Sequence, residues 1–283
     1  MPLPDDFRAQ SRRRWGDQAA GWESRRDLLR TATMPVSAWM IDAIDPQPGH
    51  TILELAAGTG DTGLLAAELI APGGELICSD FAPEMLMTAQ RRAGELRVDN
   101  VRFKQIDAET SIDVEAASLD GVLCRWGYML MADPGSALRE TRRVLKPGRR
   151  VALAAWAGAG SNLWSVLPTR ELGERGIGES PDPDAPNQFT WAEEGLIAEH
   201  LEASGFVEHH AETLDFTIDY ASAADWWAAQ SDLSSRFSAA VTRASEDDLA
   251  AVRAAVERHA ERFRADDGTV RIPARTWVAW AAG

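Results

Sequence analysis

Three acidic residues and a cluster of glycines carry the most chemistry in this 283-residue chain. Glu54 closes a short apolar run, Thr51-Ile52-Leu53-Glu54-Leu55, and Gly58-Thr59-Gly60-Asp61-Thr62-Gly63 follows it. Asp80 and Asp107 each stand at the end of a later apolar run. Glycines without a Cβ let backbone approach a ligand closely, and the helix expected from Leu64 onward would point its unpaired N–H groups at that ligand. A carboxylate at the end of the second strand can accept both hydroxyls of a ribose in charge-assisted bonds. Asp107 could accept an exocyclic adenine amine, and Glu54 could hold either the helix-turn backbone or a cationic tail. Singly, each acid is also readable as a cap or a solvated strand end. Three at consecutive strand ends point instead to a nucleotide-type cofactor site.

The elements that must position these groups alternate. Strand-like runs are expected at 52–55, 75–80, 101–107, 119–125 and 150–156, with helices between them, the last from about 135 to 145. That order predicts an α/β fold with a parallel sheet and right-handed crossovers, its ligand at the strands' carboxyl ends. Ahead of it, 7–30 reads as a helix with Trp15, Ala19 and Trp22 on one face, and a second helical segment is expected to run through Pro35 to Ile41 and stop before Asp45. After Trp156 the segment 157–192 is rich in Gly, Pro and Asp, including Pro181 to Pro186, and reads as a functional loop with one helix at most. A helix near 193–204, a strand from about 207 to 220, a charged helical stretch over 222–265 and a final strand over 269–281 complete the chain. Pro273 confines that last strand to a place where its missing N–H does no harm.

Composition narrows the function. The net charge of −15 argues against nucleic acid or an anionic membrane as the main partner. No apolar run is long enough to span a bilayer and the N-terminus has no signal pattern, so a cytoplasmic protein is expected. Cys78 and Cys124, the two cysteines, read as core residues, and no metal site is expected.

Gly58 to Gly63 formally matches G-x-G-x-x-G, with Asp80 twenty residues past Gly60, so an NAD-dependent oxidoreductase is an alternative. Against it stand Glu54 ahead of the glycines, where negative charge does not help a pyrophosphate, and the lack of a second βαβαβ half. A P-loop is excluded because no Gly-Lys-Ser/Thr follows the turn.

Glu54-Leu55-Ala56-Ala57-Gly58-Thr59-Gly60 resembles the E/D-x-G-x-G-x-G signature of class I S-adenosylmethionine-dependent methyltransferases. The likeness continues through 79–86, 105–109, 118–134 and 138–148 and is similar above all to the quinone-biosynthesis-like, small-molecule branch of that family. It implies a Rossmann-like mixed seven-stranded sheet with an N-terminal helical lid (1–48), a cofactor-binding core (49–156) and a remainder (157–283) holding the loop 157–192 and the helical insertion 222–265. It further implies that Glu54, Ala56, Gly58 and Gly60 seat the methionine part of the cofactor. Asp80 would take the ribose hydroxyls, Phe81 and Met85 would flank the adenine, and Asp107 with the Ala108 backbone would bind its amine. Arg125 would lie under the cofactor near the transfer site, and Trp22 would belong to the closing lid. Ala56 stands where that family usually has glycine.

Acceptor recognition is expected from Trp126, Tyr128, Met129 and Trp164, with Trp156, Phe189 and Trp191 as further candidates, in an apolar pocket suited to an aromatic, polyketide or isoprenoid small molecule. The five histidines read as structural or solvated, and no catalytic base is named. A monomer or homodimer is expected; a protein that keeps the fold and cofactor without catalysis is the remaining alternative.

Overall fold

The computed structural model describes residues 4–178 and 185–283; the expected turn over 181–184 lies outside them. Two helices lead, α1 (Pro4–Ser24) and α2 (Arg26–Ile44). The alternating part follows as β1 (Thr51–Glu54), α3 (Asp61–Ile70), β2 (Glu75–Asp80), α4 (Pro83–Leu96), β3 (Val101–Gln105), β4 (Leu119–Arg125), α5 (Pro134–Val144) and β5 (Leu145–Trp156). The chain ends with α6 (Leu163–Gly173), α7 (Leu196–Ala203), β6 (Glu208–Tyr220), α8 (Ala223–Leu233), α9 (Ser235–Arg243), α10 (Glu246–Ala260) and β7 (Val270–Ala282).

The seven strands form one sheet in the order β3-β2-β1-β4-β5-β7-β6. β1 to β5 pair in parallel, and β7 enters antiparallel between β5 and β6. The parallel strands are covered on both sides, so Ile52, Leu53, Leu76, Ile77, Val122 and Leu123 are buried as continuous runs instead of alternating. Cys78 and Cys124 are buried in the same core as free thiols. Among the described residues, no helix is long and apolar enough to cross a membrane.

The second helix extends beyond the expected segment on its N-terminal side, so that Pro35 lies inside α2, nine residues past Arg26. The apolar stripe running from Ala32 through Val36, Met40 and Ile44 is buried and carries the helix across that interruption. β5 begins at Leu145, not at 150, and a register shift between Leu119 and Gly121 absorbs the extra residues. Buried Asp120, at that shift, accepts from Lys146 Nζ at 2.8 Å and from the Thr51 N–H at 3.0 Å. Of the segment 157–192, residues 163–173 are helix α6. Pro273 sits in β7 where pairing to β5 has already ended at Trp156 opposite Thr276, so only β6 lies alongside.

Candidate active site

The carboxyl ends of β1, β2 and β4 converge on the glycine turn. Gly58 and Gly60 take positive φ, +55° and +82°. A Cβ on Gly58 would meet nothing within 4 Å, so the turn faces open space there, whereas at Gly60 it would press on Ala89 at 3.1 Å. Ala56 also takes a left-handed φ of +50°. Its methyl restricts the neighbouring strand end, because a Cβ on Gly127 would lie 2.8 Å from it.

Glu54 is buried and turned beneath the glycine turn. Its Oε1 accepts the Gly63 N–H at 2.9 Å, and a Cβ on Gly63 would lie 2.2 Å from its Oε2. Of the two sequence readings, contact with the helix-turn backbone is the one the structure contains. Burial pushes the Glu54 carboxyl up to about 8, against the pull of the Gly63 N–H and of Arg125.

Asp80 is buried at the end of β2 and braced by backbone. Its Oδ2 accepts the Gly58 N–H and its Oδ1 the Ala82 N–H, both at 2.9 Å. A carboxylate offers about four acceptor positions, so these bonds do not exhaust it. Burial raises this carboxyl to about 6, with the N–H groups of Ala82, Gly58 and Phe81 opposing. Phe81 and Met85 follow at the start of α4, where Met85 and Ala82 form a small apolar cluster with Ala19, Trp15 and Trp22 of α1. Trp15 and Trp22 meet edge to face at 5.6 Å. Trp22 thus packs on the same small cluster as Phe81.

Asp107 lies just past β3, half-buried, with Oδ1 accepting the Glu109 N–H at 3.1 Å. Its Oδ2 is 3.7 Å from Nε of Arg8, a residue of α1 that sequence reasoning did not single out. Ala108 beside it is buried.

Arg125 ends β4 with its side chain only 10% exposed. One guanidinium N–H donates to Thr33 Oγ1 of α2, and Asp61 Oδ2 lies 3.8 Å away. Asp61 in turn accepts from Thr59 Oγ1 at 2.8 Å. Thr33 and Asp61 were missed as site residues. Asp61 directly follows the glycines, a signal that was available; Thr33 is 92 positions from Arg125 and carries none.

Trp126 comes next with φ +58°, a conformation its bulky side chain tolerates only because the surroundings hold it. Its Nε1 donates to Thr276 Oγ1 at 2.9 Å, and its ring stacks on Trp156 at 4.1 Å and 9°. Trp164 packs on Trp156 at 5.1 Å, and Phe216 of β6 reaches both Trp126 (6.4 Å) and Trp156 (5.9 Å). A cleft of about 580 Å³ between α2 and β6 is lined by Leu28, Ala32, Pro35 and Phe216 together with the acids Asp27, Asp215 and Asp219. Phe216 is a further residue the sequence did not flag.

Tyr128 and Met129 correct the expectation for the acceptor wall. Tyr128 is 1% exposed, hydrogen-bonded to Thr141 Oγ1 of α5 at 2.6 Å and stacked on Trp191 at 6.1 Å. Met129 is 2% exposed, and its Sδ accepts the Trp156 N–H at 3.4 Å. The short 3-10 turn over Tyr128–Leu130 rolls both side chains into the core. The histidines stand elsewhere: His259 on Glu171, His209 on Glu202, His210 near Glu212, His200 stacked on Trp191, and His50 in its own turn.

A β1–turn–α3 segment, a braced acid ending β2, and β7 running antiparallel between β5 and β6 together make the Rossmann-like α/β fold found in class I S-adenosylmethionine-dependent methyltransferases. Residues 46–164 match the methyltransferase domain family. The chain is 43% identical over 102 residues to a demethylmenaquinone methyltransferase of Thermus thermophilus, covering 36% of this chain and 45% of that one. It is 36% identical over 148 residues to the demethylmenaquinone methyltransferase of Deinococcus radiodurans, covering 50% and 60%. The chain therefore spans about half the length of these relatives. The crystal structure of the YcgJ protein from Bacillus subtilis has the same fold, with TM-score 0.57, 20% identity, and 87% and 97% of the two chains covered.

The residues fit S-adenosylmethionine. Gly58 opens a space that a Cβ would fill, and Asp80 is braced beside it by backbone N–H groups.

Proposed function

We propose that this protein transfers a methyl group from S-adenosylmethionine to a small, flat, apolar or aromatic acceptor. The observation that carries the reading is the braced Asp80 beside the open glycine turn. When bound, the cofactor supplies an activated methyl on a sulfonium, and the in-line displacement needs mainly alignment and exclusion of water. Glu54 holds the start of α3 in place, Ala56, Gly58 and Gly60 shape the seat, and Asp80 binds the ribose hydroxyls. Phe81 and Met85 flank the adenine, Asp107 and the Ala108 backbone bind its amine, and α1 with Trp22 closes over it. Residues 1–48 serve as lid, 49–156 as the cofactor core and 157–283 as the acceptor side. The demethylmenaquinone methyltransferases it resembles support an acceptor of the quinol type. The net charge of −15 supports a reading without a nucleic-acid partner, and a cytoplasmic monomer or homodimer belongs to the same proposal.

Calorimetric titration with S-adenosylhomocysteine tests this. Asp80→Ala removes a charge-assisted pair of ~1.5–3 kcal/mol, so the dissociation constant should rise roughly ten- to a hundred-fold. Because the wild-type carboxyl titrates near 6, affinity should also weaken as pH falls through that value, and Asp80→Ala should lose this dependence. An unchanged affinity in Asp80→Ala would remove the ribose role.

A further inference from the structure

Arg125 is a buried cation with little to do inside the protein. A guanidinium has five N–H donors, yet among the described residues its hydrogen bonding amounts to one bond to neutral Thr33, with an Asp61 carboxylate too far, at 3.8 Å, for another. Glu54, the other acid acting on it, spends its Oε1 on Gly63. A second cation beside a sulfonium is unfavourable unless an anion lies between them. The guanidinium carbon also stands 5.0 Å from the centre of the Trp126 ring. From Trp126 an aromatic wall continues through Trp156 to Phe216, which lines the α2–β6 cleft, and Ala32 of that cleft is the neighbour of Thr33. The cleft's volume of about 580 Å³ lies within the usual range of roughly 300–1,000 Å³ for small-molecule sites.

We propose, resting on the methyltransferase reading above, that Arg125 receives the ionised oxygen of a phenolic acceptor whose ring lies along Trp126 and Phe216. The acceptor enters through the α2–β6 cleft. Its hydroxyl proton leaves to solvent, and Arg125 pairs with the phenolate without exchanging a proton of its own. Activation of the acceptor then comes from a fixed positive charge, in a site where the five histidines are engaged elsewhere. Asp61 is a positioning residue: it holds the guanidinium in place and partly neutralises it. Thr33 fixes its direction from α2.

The test uses 4-nitrophenol, whose ionised form absorbs visible light, titrated with the full-length protein across pH, with and without saturating S-adenosylhomocysteine. A neighbouring cation should lower the apparent pKa of the bound phenol by about 1 to 3. Arg125→Gln should abolish that lowering and Arg125→Lys should keep part of it. Asp61→Asn frees the cation and should deepen the effect, so the inference stays testable if Arg125→Gln does not fold. An unperturbed bound phenol, or an equal effect in Arg125→Gln, overturns the proposal. So does loss of the effect on adding S-adenosylhomocysteine, which assigns Arg125 to the cofactor's own carboxylate, or the absence of any deepening in Asp61→Asn. Calorimetry on the same samples separates the two levels. Binding of S-adenosylhomocysteine without a phenolate effect sinks this inference alone, whereas no binding sinks the methyltransferase reading beneath it.

Discussion

Glu54 and Ala56, two residues apart in the seat, show how a short motif can hide two different physical demands. Glu54 is an acid held where water cannot reach it, so its folded-state carboxyl sits near 8 against an ordinary 4.5. The sign follows directly. Below 4.5 both folded and unfolded chains carry the proton and nothing is lost; as pH rises toward 8 only the unfolded chain gains by releasing it, and stability falls. Each tenfold in proton affinity is about 1.4 kcal/mol, so the loss amounts to a few kcal/mol. Asp80 adds a loss of the same sign, but below about 6. Glu54→Gln keeps an acceptor for the Gly63 N–H and has no proton to lose. Urea denaturation at pH 6.5 and 8.5 should therefore show wild type losing stability over that interval and Glu54→Gln losing far less; parallel losses would refute the assignment. Ala56 pays in backbone. A left-handed alanine costs roughly 1–2 kcal/mol, and glycine's extra unfolded-state freedom costs about 0.5–1 kcal/mol. Ala56→Gly should thus raise stability by up to about 1 kcal/mol in the same assay, and a lower midpoint would contradict it. The family signature placed both residues at the turn. Which way Glu54 points and what Ala56 does to Gly127 depend on backbone torsions that residue types alone do not encode.

Helices and strands were legible wherever their own periodicity decided the outcome, and less so where a neighbour did. The acids at 54, 80 and 107 fell at or just past strand ends as expected, because continuous apolar runs between turn residues admit few alternatives. The β5 start at Leu145 was hidden, since Lys146-Pro147-Gly148 reads locally as a breaker and only pairing with Leu119 brings it into the strand. Tyr128 and Met129 read as an acceptor wall from their position after β4, but one 3-10 turn reverses their direction. The packing of α1 on α8 is equally invisible. A Cβ on Gly21 would lie 2.0 Å from the Asp232 carbonyl oxygen, so the two helices touch through a residue chosen for having no side chain. Two effects oppose each other at Gly21→Ala. Alanine is the better helix former by about 1 kcal/mol, whereas forcing extra volume into a packed contact costs typically about 1–3 kcal/mol. At 2.0 Å from backbone the second should win, and the thermal midpoint should fall. A rise would mean that α1 and α8 approach less closely than this.

On the scale of the whole molecule, α1 joins the two halves of the site. On one side Trp15 and Trp22 pack on the cluster that holds Ala82 and Met85, Glu23 pairs with Arg91 of α4 at 2.6 Å, and Arg8 reaches Asp107. On the other, Gln18 bonds Ser235 at 2.8 Å and Trp22 Nε1 donates to the Leu233 carbonyl at 3.3 Å. Arg25, at the junction of α1 and α2, pairs with both Asp225 and Asp232 of α8. Surface ion pairs are individually worth only about 0–1 kcal/mol. The coupling must therefore rest on the aromatic packing and on the close approach at Gly21, with the ion pairs setting register. If α1 is the lid, a ligand under it on the Asp80–Asp107 side must also order α8 and α9, which stand on the acceptor side. Amide hydrogen exchange measures this directly. Addition of S-adenosylhomocysteine should slow exchange in residues 4–24 and, to a comparable degree, in 223–243, although the latter bear none of the proposed cofactor contacts. Arg25→Ala should keep the first protection and weaken the second. Protection confined to residues 4–24 in the wild type would show that the lid closes without the insertion, and that acceptor and cofactor are admitted independently.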